Sequence, residues 1–152
     1  MGDVVDLDAK DLQILEALKQ NGRASTQAIS KKTRIPITTV HHRMKKMEES
    51  GVIKGYTVVI DNKKLGRPFS AYILITVDYR LLKEKKTTQY DIVKKLKQSD
   101  SVEEASMLTG GADIIIRVRS KDIDELNEFV TIYLRNIDGI EKTQTAIVLN
   151  EA

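Results

Sequence analysis

The chain has no cysteine. That single absence removes disulfides, thiolate zinc sites, iron–sulfur clusters and cysteine nucleophiles together. Histidine is almost as scarce: the only two, His41 and His42, are adjacent. Neighbours on a helix point about 100° apart, so this pair lacks the i, i+4 geometry that helical metal sites use. No metal site, cofactor or catalytic residue is therefore expected. Long uncharged apolar runs are missing too, which leaves no candidate membrane span. The opening MGDVVDLDAKD is acidic and carries no basic-then-apolar leader, as expected of a protein that stays in the cytoplasm. Its Met-Gly start has Asp6 where a lipid-acceptor pattern needs Ser or Thr.

What is present fits a soluble globular chain of one or two small domains: 152 residues, 41% hydrophobic and 31% charged. The net charge of +3 is unevenly spread. Residues 1–66 carry 12 Lys/Arg against 8 Asp/Glu, whereas residues 67–152 carry 13 against 14. Within residues 23–54 the counts are 8 and 2. Concentration of positive charge in one short segment matches a phosphate-backbone footprint, with a solvated basic face as the alternative.

Local patterns predict three helices in that first half. One begins at Asp8, carries Leu12, Leu15 and Leu18 on one face, and ends at Asn21-Gly22. A second, capped by Ser25, runs to Lys32 and buries Ala28 and Ile29. Pro36 cannot continue it but suits the start of a third, from Ile37 to Ser50. There, Ile37, Val40, Met44 and Met47 form one apolar stripe. His42 points directly away, flanked by Thr38, Thr39, Lys45 and Lys46, with no acid before Glu48. A merely solvated helix usually intersperses acids. Short polar groups near the start and long cations further on are what a helix needs to approach base edges and reach phosphates. Thr38, Thr39 and His42 are thus candidate base-edge contacts, and Arg34, Arg43, Lys45, Lys46 and Lys54 candidate phosphate contacts. For Arg43 a salt bridge within the domain is the alternative, and for His41 a structural or solvent role. After Gly51, VIKGYTVVID is expected to form a tight hairpin around Lys54-Gly55, the wing of a winged helix-turn-helix.

The partition expected is 1–61 for this domain, 62–68 (NKKLGRP) as a polar, basic hinge, and 69–152 as a second domain. The second domain reads as a strand FSAYILITVD, a helix from Thr88 to Gln98, and strands SVEEASMLTG and ADIIIRVRS meeting at Gly110-Gly111. A helix from Lys121 to Arg135, burying Ile123, Leu126, Phe129, Val130 and Tyr133, and a last strand TQTAIVLNE complete it. The fold class expected is α+β: a winged helix-turn-helix followed by a ferredoxin-like βαββαβ, or ACT-like, domain. One sheet face, with Tyr72, Leu74, Ile115 and Val148, has no cover in a monomer, which predicts dimerisation.

The stretches LDAKDLQILEAL, NGRAS, TTVHHRMKKMEESGVIKGYTVVIDNKKLG and VEEASMLTGGADIIIRV resemble the leucine-responsive regulator/AsnC family of transcription factors, in order and over nearly the whole chain. The second of the family's marks is a Thr-Gly-x-x-Asp element, here Thr109, Gly110 and Asp113. The chain departs from the family in two places, with Pro36 instead of Ser or Thr at the helix cap, and the small pair Gly111-Ala112 before the Asp.

The resemblance implies a homodimer, or a ring of dimers, on pseudo-palindromic double-stranded promoter DNA, with half-sites about 34 Å or a multiple apart. It also implies an amino-acid effector bound between subunits near Thr109, Gly110, Gly111 and Asp113. Glycine backbone can approach a carboxylate and Asp113 could hold an ammonium group; a plain hairpin turn is the alternative. Two other functions compete. Certain haem-pathway tetrapyrrole decarboxylases resemble the family, but the C-terminal half has no His and only five Arg to hold an acidic tetrapyrrole. A ligand-sensing module that binds protein rather than DNA is the other, and a lysine-rich face argues against it.

Overall fold

The computed structural model describes residues 4–150 and divides into two compact units, Met1–Ile60 and Asp61–Ala152. Three helices make the first: α1 (Ala9–Gln20), α2 (Thr26–Thr33) and α3 (Ile37–Glu49). Each start has a local cause. The Asp8 carboxylate accepts from the Lys10 and Asp11 N–H groups while Asp11 accepts from the Asp8 N–H, closing a capping box. Ser25 Oγ accepts from Ala28 N–H at 3.1 Å. Between α2 and α3, Arg34 takes a left-handed conformation (φ 58°), and Ser30 Oγ donates to the Ile35 carbonyl at 2.6 Å. That turn tucks the Ile35 side chain into the core.

The core of this unit is Ile14, Ala17 and Leu18 of α1, Ile29, Ile35, and Val40 and Met47 of α3. It corrects the expected faces. Leu12 and Ala28 are exposed, because the inward side of α1 is centred on Ile14 and only Ile29 of α2 points in. Ile37 is 46% exposed, its place at the core taken by Ile35 two residues earlier.

The expected wing is not formed: residues 52–60 make no paired strands. A type I′ turn needs positive φ at both central residues, and Lys54 is not of the type that supplies it. Tyr56, Val58, Val59 and Ile60 are exposed, and an isolated two-stranded hairpin is marginally stable in water. The segment is instead held at its start, where Ile53 N–H donates to the Met47 carbonyl and Tyr56 OH to Glu48 Oε1 at 2.7 Å. Burial, then the Glu48 carboxylate, pushes the Tyr56 phenol up to about 12.

The second unit is a four-stranded antiparallel sheet of order β2-β3-β1-β4, with β1 Phe69–Val77, β2 Val102–Met107, β3 Ile114–Ser120 and β4 Ile140–Ile147. Helices α5 (Gln89–Leu96) and α6 (Ile123–Glu128) connect them in the ferredoxin-like order. A short helix not foreseen, α4 (Tyr79–Lys85), follows β1, capped by Asp78, with Leu82 its one buried residue. β1 contributes Ala71, Ile73, Ile75 and Val77 to the core, and β3 contributes Ile114, Ile116 and Val118, facing Ile92, Val93, Leu96, Leu126, Phe129 and Leu134.

The last helix is not regular. α6 passes into a π turn, Phe129–Tyr133, and then a 3-10 turn, Leu134–Asn136. The i to i+5 bond from Leu134 N–H to the Phe129 carbonyl places both side chains inward, whereas a 3.6-residue repeat selects Tyr133. Ile123, expected to be buried, is 46% exposed. β4 starts three residues before the strand predicted from Thr143, and Glu151, the last residue of that prediction, lies outside the described residues.

The segment expected as a hinge is a hydrogen-bonded turn. Asp61 accepts from Lys63 and Lys64 N–H, and Arg67 Nη2 donates to the carbonyls of Asp100 and Arg119. Among the described residues no helix is long and apolar enough to cross a membrane.

Candidate functional site

Helix α3 presents its polar side to solvent. Thr38, His42, Lys45 and Lys46 are exposed and Thr39 is half-buried, while Val40 and Met47 are buried behind them. Arg34 and Lys54, on either side of the helix in sequence, are exposed as well. The Lys45 ammonium pairs loosely with Glu49 at 3.7 Å, an i, i+4 contact that contributes little in water. No side chain caps the start of α3, since Pro36 occupies the cap. Uncapped N–H groups at a helix start are suited to an anion.

Arg43 is the exception on this face. Its Nη1 lies 2.7 Å from Asp8 Oδ1 and 2.8 Å from Asp11 Oδ1. The guanidinium is raised further above its usual range by the Asp11 bond and then the Asp8 bond. Asp8 is lowered, chiefly by the Asp11 N–H and next by Arg43. The structure thus places Arg43 in the internal salt bridge that the sequence left open beside a phosphate contact. The sequence missed the neighbourhood of that bridge. Thr38, Thr39, His42, Arg43 and Lys46 line a groove of about 630 Å³ together with Asp6, Asp8 and Asp11. Carboxylates from the N-terminus border a helix whose own sequence has no acid before Glu48. An i to i+35 relation leaves no local signal, although an acidic capping box ahead of a helix-turn-helix pattern could have raised the question.

In the second unit, Thr109, Gly111 and Ala112 line a pocket of about 410 Å³ with Leu74, Thr76, Leu108, Lys142 and Gln144. Gly110 lies in the same turn (φ 125°), a conformation that favours glycine. Asp113 does not line the pocket. Its Oδ2 accepts from Val77 N–H at 2.9 Å and its Oδ1 from Tyr79 OH at 2.7 Å, with Gln89 Nε2 on its carbonyl. The Asp113 bond, followed by desolvation, raises the Tyr79 phenol. Asp113 therefore joins the loop to β1 and α4. Lys142 and Gln144 were missed because their strand alternation is polar on a face that no local pattern marks as a site.

The two strand arginines that a tetrapyrrole site would draw on are engaged. Arg119, buried, pairs with Glu103 at 3.0 Å. Arg117 pairs with Glu103 at 3.4 Å and lies 5.7 Å from the Tyr72 ring centroid.

Comparison with known proteins places this arrangement. The family model described as winged helix-turn-helix DNA-binding matches residues 7–54, and that of the Lrp/AsnC ligand binding domain matches residues 70–152. The chain belongs to the Lrp/AsnC family. It is a DNA-binding transcriptional regulator of Lrp/AsnC type, with an N-terminal helix-turn-helix and a C-terminal ligand-binding domain of ferredoxin-like, ACT-like fold.

Among its relatives, the HTH-type transcriptional regulator FL11 of Pyrococcus horikoshii is 36% identical over 146 residues, covering 95% of this chain and 91% of the relative. The solved structure of Escherichia coli AsnC is 31% identical, with a TM-score of 0.81 over 97% of this chain and 95% of that one. A transcriptional regulator from Neisseria meningitidis, solved as an L-Met complex, shares the fold at 23% identity and a TM-score of 0.87, over 96% and 92% of the two chains.

Proposed function

We propose that this Lrp/AsnC regulator acts in the cytoplasm as a homodimer or ring of dimers. It binds pseudo-palindromic promoter DNA with α3 in the major groove and responds to an amino acid. The observation that carries the DNA reading is the exposed polar strip of α3 over a buried apolar seam, with an uncapped helix start ahead of it. Thr38, Thr39 and His42 face base edges in this reading, and Arg34, Lys45, Lys46 and Lys54 face phosphates. Arg43, held by Asp8 and Asp11, sets the orientation of α3 on α1.

Assembly is supported by the sheet face away from the helices, where Tyr72 is exposed and Leu74, Ile115 and Val148 are only half-buried. A second copy covers such a face at low cost. The amino-acid reading is supported by the pocket beside Thr109 and Gly111, and by a regulator of the same fold having been solved with L-Met.

Footprinting on DNA selected from a random pool, with and without the twenty amino acids, tests both parts. Paired protected sites one or more helical turns apart are expected, altered by at least one amino acid. Failure to protect any duplex in dilute buffer overturns the DNA reading. An amino acid present far above its dissociation constant adds roughly 2–3 kcal/mol to stability, so a thermal shift reports binding independently.

A further inference from the structure

The C-terminal unit is nearly neutral as a whole, but its charge is sorted along the chain. Residues 79–97 hold 7 Lys/Arg against 2 Asp/Glu, while the rest of 67–152 holds 6 against 12. The positive stretch is α4, its cap and α5. Arg80, Lys83, Lys85 and Lys86 are exposed along the first, and Lys94, Lys95 and Lys97 along the second. Leu82 is the buried residue of α4, and Ile92, Val93 and Leu96 are those of α5. At 100° per residue, Lys94 points away from that seam, with Lys95 and Lys97 on its flanks.

Two meetings make the helices one surface. Leu82 Cδ2 and Ile92 Cδ1 converge on Gly139, 2.5 and 3.1 Å from where an added Cβ would stand. The adjacent Asp138 pairs with Lys85 at 2.6 Å, and its carboxyl is held below the usual range by that bond first and more weakly by the charge of Lys95. The other acids here, Glu84 apart, are spent on helix caps. Asp91 Oδ2 accepts from the Thr88 N–H and hydroxyl, and Asp78 Oδ1 from the Arg80 and Leu81 N–H groups. Among the described residues, Lys85 alone of the seven cations makes an ion pair. A last-turn position accounts for Lys83, Lys85, Lys94 and Lys95 one at a time, because a cation there meets the negative helix end. It does not account for Arg80 in the first turn of α4. Tyr90, one turn before Lys94, is 62% exposed and adds a hydroxyl of the kind that meets phosphates.

We infer that the outward side of α4 and α5 is a second DNA surface, which holds the phosphate backbone of duplex flanking the half-sites without reading its sequence. This rests on the DNA reading above and adds a contact outside the helix-turn-helix. The eight residues of α5 span about 12 Å, and each strand carries one phosphate per about 3.4 Å of axis, so the patch meets about three. A protein partner suits it less, since lysine is depleted at protein interfaces. The acidic remainder of the unit repels duplex and leaves this side for it.

The test is the salt dependence of affinity of the full chain for two duplexes. One ends at the selected half-sites, and the other extends them by several helical turns of random flank. Wild type is compared with the triple variants Lys83→Gln/Lys94→Gln/Lys97→Gln and Lys83→Arg/Lys94→Arg/Lys97→Arg, and with Lys45→Ala/Lys46→Ala. On the flanked duplex the Gln triple should lose about 0.9 of slope per contact, about two to three units in all, and about tenfold or more in affinity. On the bare half-sites it should match wild type, and the Arg triple should match wild type on both. Lys45→Ala/Lys46→Ala should weaken both duplexes alike. A Gln triple with wild-type slope on the flanked duplex, an equal loss on both duplexes, or an Arg triple as weak as the Gln triple overturns the inference and leaves the α3 reading standing. Wild type that ignores both duplexes overturns both.

Discussion

The helix face of the N-terminal unit and the pocket of the C-terminal unit are alike as strings of sequence: each is a short polar stretch holding a charged residue that invites assignment to a ligand. The fold uses them in opposite ways. On α3 the outward groups are side chains, Thr38, His42, Lys45 and Lys46. In the pocket the loop brings backbone N–H groups, because Gly111 and Ala112 have almost no side chain to present. In both, the charged residue at the centre of the motif is a strut. Arg43 ties α3 to the start of α1, and Asp113 ties the loop to Val77 and Tyr79. A charge with good internal partners is already desolvated in part and oriented, so it is suited to positioning the surface and leaves less encumbered neighbours open to a ligand.

That comparison can be broken, first, at the framework. Ile73 is wholly buried in the sheet core, so Ile73→Ala should cost about 2–5 kcal/mol in chemical denaturation. DNA binding by a protein that retains its folded N-terminal unit should suffer less than the ligand response. Gly139 comes next, at φ 92° with an added Cβ 2.5 Å from Leu82 Cδ2. Gly139→Ala should cost about 1–3 kcal/mol through strain and overpacking, read in the same way. Asp113→Ala leaves the Val77 N–H without its acceptor and should cost about 1–3 kcal/mol. A stability unchanged by that substitution would mean Asp113 is not a strut.

The smallest effect is in acid. The Asp8 carboxyl is held below its ordinary 3.8 by the Asp11 N–H and Arg43. A depressed carboxylate stabilises the fold above its unfolded value and loses that contribution as pH falls through the folded one. Asp8→Asn should therefore flatten the stability profile below about pH 4, measured by acid titration of circular dichroism.

Most of the architecture was legible because period and punctuation agreed. β-Branched and aromatic residues in FSAYILITV and alternation in IIIRV marked the central strands, Ser25 capped α2, and Gly110-Gly111 marked the hairpin. Helix α4 was not, since seven residues with a single buried leucine carry no period. The hairpin of the wing was expected from β-branched residues that stand exposed and unpaired in residues 56–60. Exposure of Ile37 and Ile123 was hidden for the related reason that a stripe shows which side faces in, not how far the neighbouring element extends. At the sites, residue types on α3 could be read locally, whereas Arg43 with Asp8 and Lys142 with Thr109 are meetings made by tertiary structure.

The division of labour on α3 is most directly tested by the salt dependence of DNA affinity for three proteins side by side: wild type, the Lys45→Ala/Lys46→Ala pair, and Arg43→Ala. Each lost phosphate contact lowers the slope of log affinity against log salt by about 0.9. The account predicts a slope reduced by nearly two units in the lysine pair. Arg43→Ala should weaken binding at every salt concentration with its slope almost unchanged. A slope that falls by a full unit in Arg43→Ala and stays put in the lysine pair would contradict it.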